Sequence, residues 1–144
     1  MAGKHGWNTL ENYLHVVLGV VEDDPFVICH SLVIEMSPEA GEISGDIICY
    51  GDIVVDVTKH FEIRTVSSRK QARTVRYAYH ARYRNGDDIL RYDNAHTYPG
   101  YRTPHHKHEY GPSGDTISHI GMQWPHLSEV LDELKAMVWG QPAD

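Results

Sequence analysis

Residues 76–93, RYAYHARYRNGDDILRYD, carry the pattern on which the fold turns. Asn85 followed by Gly86 is a strong short-range signal for a two-residue hairpin turn, because that turn needs positive φ at both central positions. With the turn there, Tyr83 faces Asp88, Arg82 faces Ile89, Ala81 faces Leu90, His80 faces Arg91 and Tyr79 faces Tyr92. Strand alternation then separates two faces. Tyr79, Ala81, Tyr83, Leu90 and Tyr92 form a core face. Arg76, Ala78, His80, Arg82, Arg91 and Asp93 form a polar working face, with cross-strand neighbours about 5 Å apart.

Upstream of the hairpin, short β-type runs separated by turn residues predict an antiparallel meander: Phe26 to Met36, Ile43 to Tyr50, and Ile53 to Val66. Before them, Leu10, Tyr13, Leu14, Val17, Leu18 and Val21 follow helical spacing, with Asn8 as cap, Glu11 as its reciprocal partner and Pro25 closing the segment. Downstream, Gly111 to Gly114 mark a loop, and residues 128–138 predict a final amphipathic helix that carries Val130, Leu131 and Leu134 on its apolar side. The expectation is a single α+β domain over residues 1–144, with a twisted antiparallel sheet of about five or six strands flanked by an N-terminal and a C-terminal helix.

The 144 residues carry a net charge of −7 and contain no apolar run long enough to span a bilayer, which argues against a membrane protein or a general nucleic-acid coat. The charge is unevenly placed. From Lys59 to His108 there are eleven Lys and Arg against four acids, a net of +7, so the flanks sum to −14. Six of the eleven His also fall in that stretch. One contiguous positive surface is expected from the polar hairpin face to the His cluster. Cys29 and Cys49 sit in apolar runs, as small buried hydrophobes of a reducing, cytoplasmic compartment would.

His105, His106, Lys107 and His108 bring groups that titrate near neutrality beside a fixed cation, with Arg91, Asp93 and His96 a loop away and His80 on the hairpin face. Such a set suits metal-free RNA cleavage. One imidazole would take the proton of the ribose 2′-hydroxyl, another would protonate the leaving 5′-oxygen, and Lys107 or Arg91 would stabilise the phosphorane. Arg76, Arg82, Arg84 and Arg102 are the candidates for phosphate binding. No cofactor is called for. The alternatives are a non-catalytic module whose basic surface binds nucleic acid or an acidic protein partner, and a metal-dependent nuclease or phosphotransfer enzyme. In the latter, Asp93, His96, His106 and His108 would be the ligands. Clustering of cations also predicts at least one imidazole titrating below its ordinary value, and a bell-shaped activity profile.

The strings Arg91-Tyr92-Asp93-Asn94-Ala95 and Pro104-His105-His106-Lys107-His108 resemble the signature of the TumE family of toxin-antitoxin proteins. The order of elements matches as well: an N-terminal helix, the Pro25 break, the Ser37, Pro38, Gly41 turn, the Tyr77, Tyr79, Tyr83 strand and a Glu-rich C-terminal helix. Many relatives have Pro and two His directly after the Ala, where this chain has His96, Thr97 and Tyr98 before Pro99. The resemblance implies a toxin encoded beside an antitoxin, typically a small helix-turn-helix DNA-binding protein that neutralises it by contact. It also implies action on RNA, the usual assumption for such toxins.

Overall fold

The computed structural model describes residues 5–95, 104–111 and 114–140. Its elements run in the order β1 (Asn8–Thr9), α1 (Leu10–Asp23), β2 (Val27–His30), β3 (Val33–Met36), β4 (Ala40–Cys49), β5 (Ile53–Val66), β6 (Arg69–Tyr83), β7 (Asp88–Asp93), β8 (His106–Gly111), β9 (Gly114–His119), a 3₁₀ turn (Gly121–Gln123) and α2 (Leu127–Trp139). The α+β class and the two terminal helices are as expected. The sheet is larger, with nine antiparallel strands among the described residues: β2, β4, β5, β6, β7, β8 and β9 lie side by side, β3 also pairs with β4, and β1 pairs with β6.

Alternation along β5 buries Ile53, Val55, Val57, Phe61 and Ile63 on one face, and both helices pack there. Tyr13, Val17 and Val21 of α1 and Leu127, Val130, Leu131 and Leu134 of α2 join these residues in one hydrophobic cluster. The helix caps follow side-chain chemistry. Thr9 rather than Asn8 caps α1, its hydroxyl accepting from the Asn12 N–H at 3.2 Å, while the Asn8 Oδ1 accepts from the Thr9 N–H at 2.9 Å. His126 caps α2, and Glu129 returns a bond to its N–H at 3.0 Å.

Four departures from the sequence expectation have local causes. The run Phe26 to Met36 divides into β2 and β3, which pair with successive parts of β4. The division falls where the backbone of Ser31 and Leu32 passes so close to Gly45 that a Cβ there would meet the Ser31 oxygen at 2.5 Å. β8 and β9 pair antiparallel, with Gly111 opposite Gly114, where the sequence marked a loop from Gly111 to Gly114, whose residues 112 and 113 lie outside the described residues. Cys29 is exposed, because its edge strand turns that side chain away from the core.

The fourth departure is in the deciding hairpin. Tyr83 N–H bonds the Asp87 oxygen at 2.8 Å and Gly86 N–H bonds the Tyr83 oxygen at 2.9 Å, so Arg84, Asn85 and Gly86 form a three-residue loop, with positive φ at Gly86 alone. Arg82 consequently pairs with Asp88, and a bulge at Ile89 restores the expected pairs Ala81 with Leu90, His80 with Arg91 and Tyr79 with Tyr92. Tyr83, expected in the core, is 39% exposed beside this loop. The two-residue turn with both central φ positive occurs instead at Ser67 and Ser68, between paired Val66 and Arg69. A second bulge, at Val75, switches the parity of β6 so that both Ala72 and Tyr77 reach the core.

Candidate active site on the open face of the sheet

No helix among the described residues covers the second face of the sheet, and adjacent strands set its polar residues in rows. One row runs Asp56, His80, Arg91, His108 and Ile117 across β5 to β9. The next runs Thr58, Ala78, Asp93, His106 and His119. Directly paired residues share a face, so the register alone brings His80, Arg91, Asp93, His106 and His108 together from three strands.

Asp93 is the centre of this group and is 1% exposed. Its Oδ2 accepts from Arg91 Nε at 2.7 Å and its Oδ1 from the Ala95 N–H at 3.1 Å. His106 Nε2 lies 2.8 Å from Oδ1 and His108 Nε2 lies 3.8 Å from Oδ2. The other His106 nitrogen, Nδ1, is 2.7 Å from the Pro104 oxygen. Asn94 explains why the next motif residue is an amide. Its Oδ1 accepts from Tyr77 N–H at 2.9 Å and its Nδ2 donates to the Val75 oxygen at 3.0 Å, satisfying the β6 backbone beside its bulge.

His80 Nε2 is 2.6 Å from Asp88, and His108 Nδ1 is 3.2 Å from Asp115. Arg82 donates from Nε to Asp56 at 2.9 Å. The hydrogen bond with Asp56 holds Asp46 above the usual carboxylate range. Asp56 itself sits below that range, because its bonds to Arg82 and Asp46 outweigh the upward push of burial. The open face is therefore a mosaic of charge and not the uniformly positive surface that composition suggested. Within it, an open groove of about 330 Å³ is lined by Thr58, His60, Arg76, Ala78 and Arg91. Arg76 has no acidic partner among the described residues, and Arg91 has only Nε committed, to Asp93.

Lys107 and His105 are not in this group. Strand alternation turns Lys107 to the covered face, where its ammonium bonds Glu133 and Glu109, each at 2.7 Å. Burial alone would push that ammonium down, but its hydrogen bonds to Glu109, Glu133 and Tyr92 raise it above its ordinary value. His105 stacks on Tyr77 and Trp124, with Tyr77 Oη 3.0 Å from its Nδ1. Burial, helped by neighbouring His106, lowers His105 below the usual imidazole range. Arg84 is exposed in the hairpin loop, while His96 and Arg102 lie outside the described residues.

Asp93, His106 and His108 offer ligand atoms within 4.8 Å of one another, the spacing of a three-ligand metal site. Arg91 at 2.7 Å from the same carboxylate already supplies the positive charge a metal would bring. Sequence reasoning missed Asp115 and His119, because the glycines at 111 and 114 suggested a loop where they close a hairpin.

A family model described as Toxin TumE matches residues 19–138, and so takes in the hairpin, the whole Asp93 group and α2. Comparison with curated proteins and with solved structures finds no match for the chain.

Proposed function

The chain belongs to the TumE toxin family, which makes it the toxin of a toxin-antitoxin system with an antitoxin as partner, and on that premise we propose that it acts on RNA as a metal-independent ribonuclease. The observation that supports this reading is the row His80, Arg91, His108, which sets two imidazoles on either side of a guanidinium across three neighbouring strands of the open face. One imidazole takes the proton of a ribose 2′-hydroxyl as that oxygen attacks phosphorus. The other gives a proton to the departing 5′-oxygen as the P–O5′ bond breaks, leaving a 2′,3′-cyclic phosphate and a 5′-hydroxyl. Arg91 donates to the non-bridging oxygens from the amino groups that Asp93 leaves open. Asp93 and His106 are positioning residues, too buried to meet the substrate. Arg76 and the groove beside it bind the next phosphate along the strand. The antitoxin is a small helix-turn-helix protein that covers this face, and the toxin works in the cytoplasm.

Labelled RNA incubated with the purified full-length chain tests the reading. His80→Ala, Arg91→Ala and His108→Ala should each lower cleavage by about 10²–10⁴-fold while binding persists. Cleavage should follow a bell-shaped pH profile and continue in chelator. Asp93→Asn should flatten or displace the profile, since the carboxylate holds Arg91 and faces two of the imidazoles. Binding without cleavage at any pH would replace the enzyme with the non-catalytic module, recognisable by a steep salt dependence that Arg76→Ala reduces. The spacing of Asp93, His106 and His108 favours one further reading, a metal-dependent nuclease. Loss of activity in chelator and its restoration by a divalent ion would establish that instead.

A further inference from the structure

Lys59 projects from the covered face of β5, between Val57 and Phe61, and is 5% exposed. Its ammonium lies 5.4 Å from the Tyr13 ring centre and 5.9 Å from that of Tyr79. Among the described residues it has no hydrogen bond and no counter-ion. A buried cation in this position normally has an anion beside it, because the cost of removing an ammonium from water is otherwise uncompensated.

There is room for one. Two neighbouring cavities, of about 80 and 120 Å³, both touch Lys59 and share Val16 and Val17 in their walls. The first reaches Asn8, Tyr13 and Thr74, the second reaches Leu127 and Ser128 in the first turn of α2, and His126 borders both. Tyr13 Oη and Thr74 Oγ1 are 2.7 Å apart, so one hydroxyl donates to the other and the second proton of the pair stays available. The opening turn of α2 adds backbone N–H groups and the positive end of the helix dipole. In a chain with twenty acids, neither lining contains Asp or Glu.

We propose that this cavity binds a small oxyanion, of carboxylate or phosphate size, with Lys59 as its counter-ion and Asn8, Thr74 and the α2 N-terminus as neutral donors. The site lies on the face of the sheet opposite the His80, Arg91, His108 row, so it does not depend on the ribonuclease reading. Burial lowers the Lys59 ammonium to about 8, and a bound anion stabilises the charged form.

Calorimetric titration of the full-length chain with sodium acetate and with inorganic phosphate tests the proposal, with Lys59→Met and Arg76→Ala as the variants. The expected result is saturable one-site binding of at least one anion, weakened about tenfold or more in Lys59→Met and kept in Arg76→Ala. The anion preferred identifies the ligand as a carboxylate or a phosphate. Equal binding by wild type and Lys59→Met overturns the proposal, and so does phosphate binding lost only in Arg76→Ala, which places the anion on the open face. Absence of saturable binding of either anion at millimolar concentration overturns it as well. Should Lys59→Met fail to fold, acylation of wild-type Lys59 followed by mass spectrometry decides. Protection by the anion supports the site, and an unchanged labelling rate excludes it.

Discussion

Along β6 the chain alternates every residue between two environments. Tyr77, Tyr79 and Ala81 are shut against the helices, while Ala78, His80 and Arg82 stand on the open face one position away. The covered face is stabilised by apolar burial, and two lysines that reach into it, Lys59 and Lys107, differ in their partners among the described residues. Lys107 meets two carboxylates and is held above its ordinary value, whereas Lys59 meets aromatic rings alone and is pushed down to about 8. On the open face Arg73, Arg82 and Arg91 each have an acid beside them, so charge there is paired instead of being avoided. The difference teaches that apolar burial and paired charge are kept apart here at the level of neighbouring residues on one strand.

The sharpest test of that separation is Leu131→Ala. Leu131 is wholly buried under the sheet, so its truncation should cost about 2–5 kcal/mol in urea unfolding. The pH profile of cleavage by the folded fraction should not move. A shifted profile would mean that the two faces are coupled.

Lys59→Met should act in the opposite direction, raising stability by up to about 3 kcal/mol below pH 8, since the folded chain then no longer buries a charge. The pH dependence has a definite sign. Below about 8 the lysine is charged in both folded and unfolded chains, and its penalty is fully present. Between about 8 and 10.5 the folded chain has released a proton that the unfolded chain retains, so the contribution of Lys59 to stability rises with pH. Cys49 and the buried tyrosines oppose this above pH 9, because burial raises them and the unfolded forms ionise first. The quantity to measure is therefore the wild-type minus Lys59→Met difference in unfolding free energy, which should shrink across that window. A constant difference would assign the effect to packing and not to charge.

Glu133→Gln should cost about 1–3 kcal/mol, because Lys107 keeps only the exposed Glu109 and Tyr92 Oη loses its carboxylate acceptor at 2.6 Å. Stabilisation by this change would contradict the contrast between the two lysines. Smallest of all should be Arg73→Ala on the open face. Arg73 pairs with Glu62 and lies over Trp7 at 4.6 Å, both near the surface, so a loss within about 1 kcal/mol is expected, decreasing in high salt.

Residue patterns alone determined the α+β class, β5 to within its observed limits, both helices to within about two residues at each end, and the central pairs Tyr79 with Tyr92, His80 with Arg91 and Ala81 with Leu90. These are consequences of local periodicity, since a strand must alternate and a helix must repeat near every third or fourth residue. The motif residues Arg91, Asp93, His106 and His108 were likewise legible as a set of charged and titratable groups. Their grouping was not, because it depends on how β7 pairs with β8 and on which way each side chain of β8 points. That register placed His106 and His108 beside Asp93 and sent His105 and Lys107 to the core side. Tertiary structure also decided the bulges at Val75 and Ile89, where the demands of packing and turn geometry override the two-residue repeat. That Lys59 has no counter-ion among the described residues belongs to the same class of fact. Whether a buried cation finds a counter-ion depends on which side chains the folded chain brings within about 4 Å, and those lie far away in sequence.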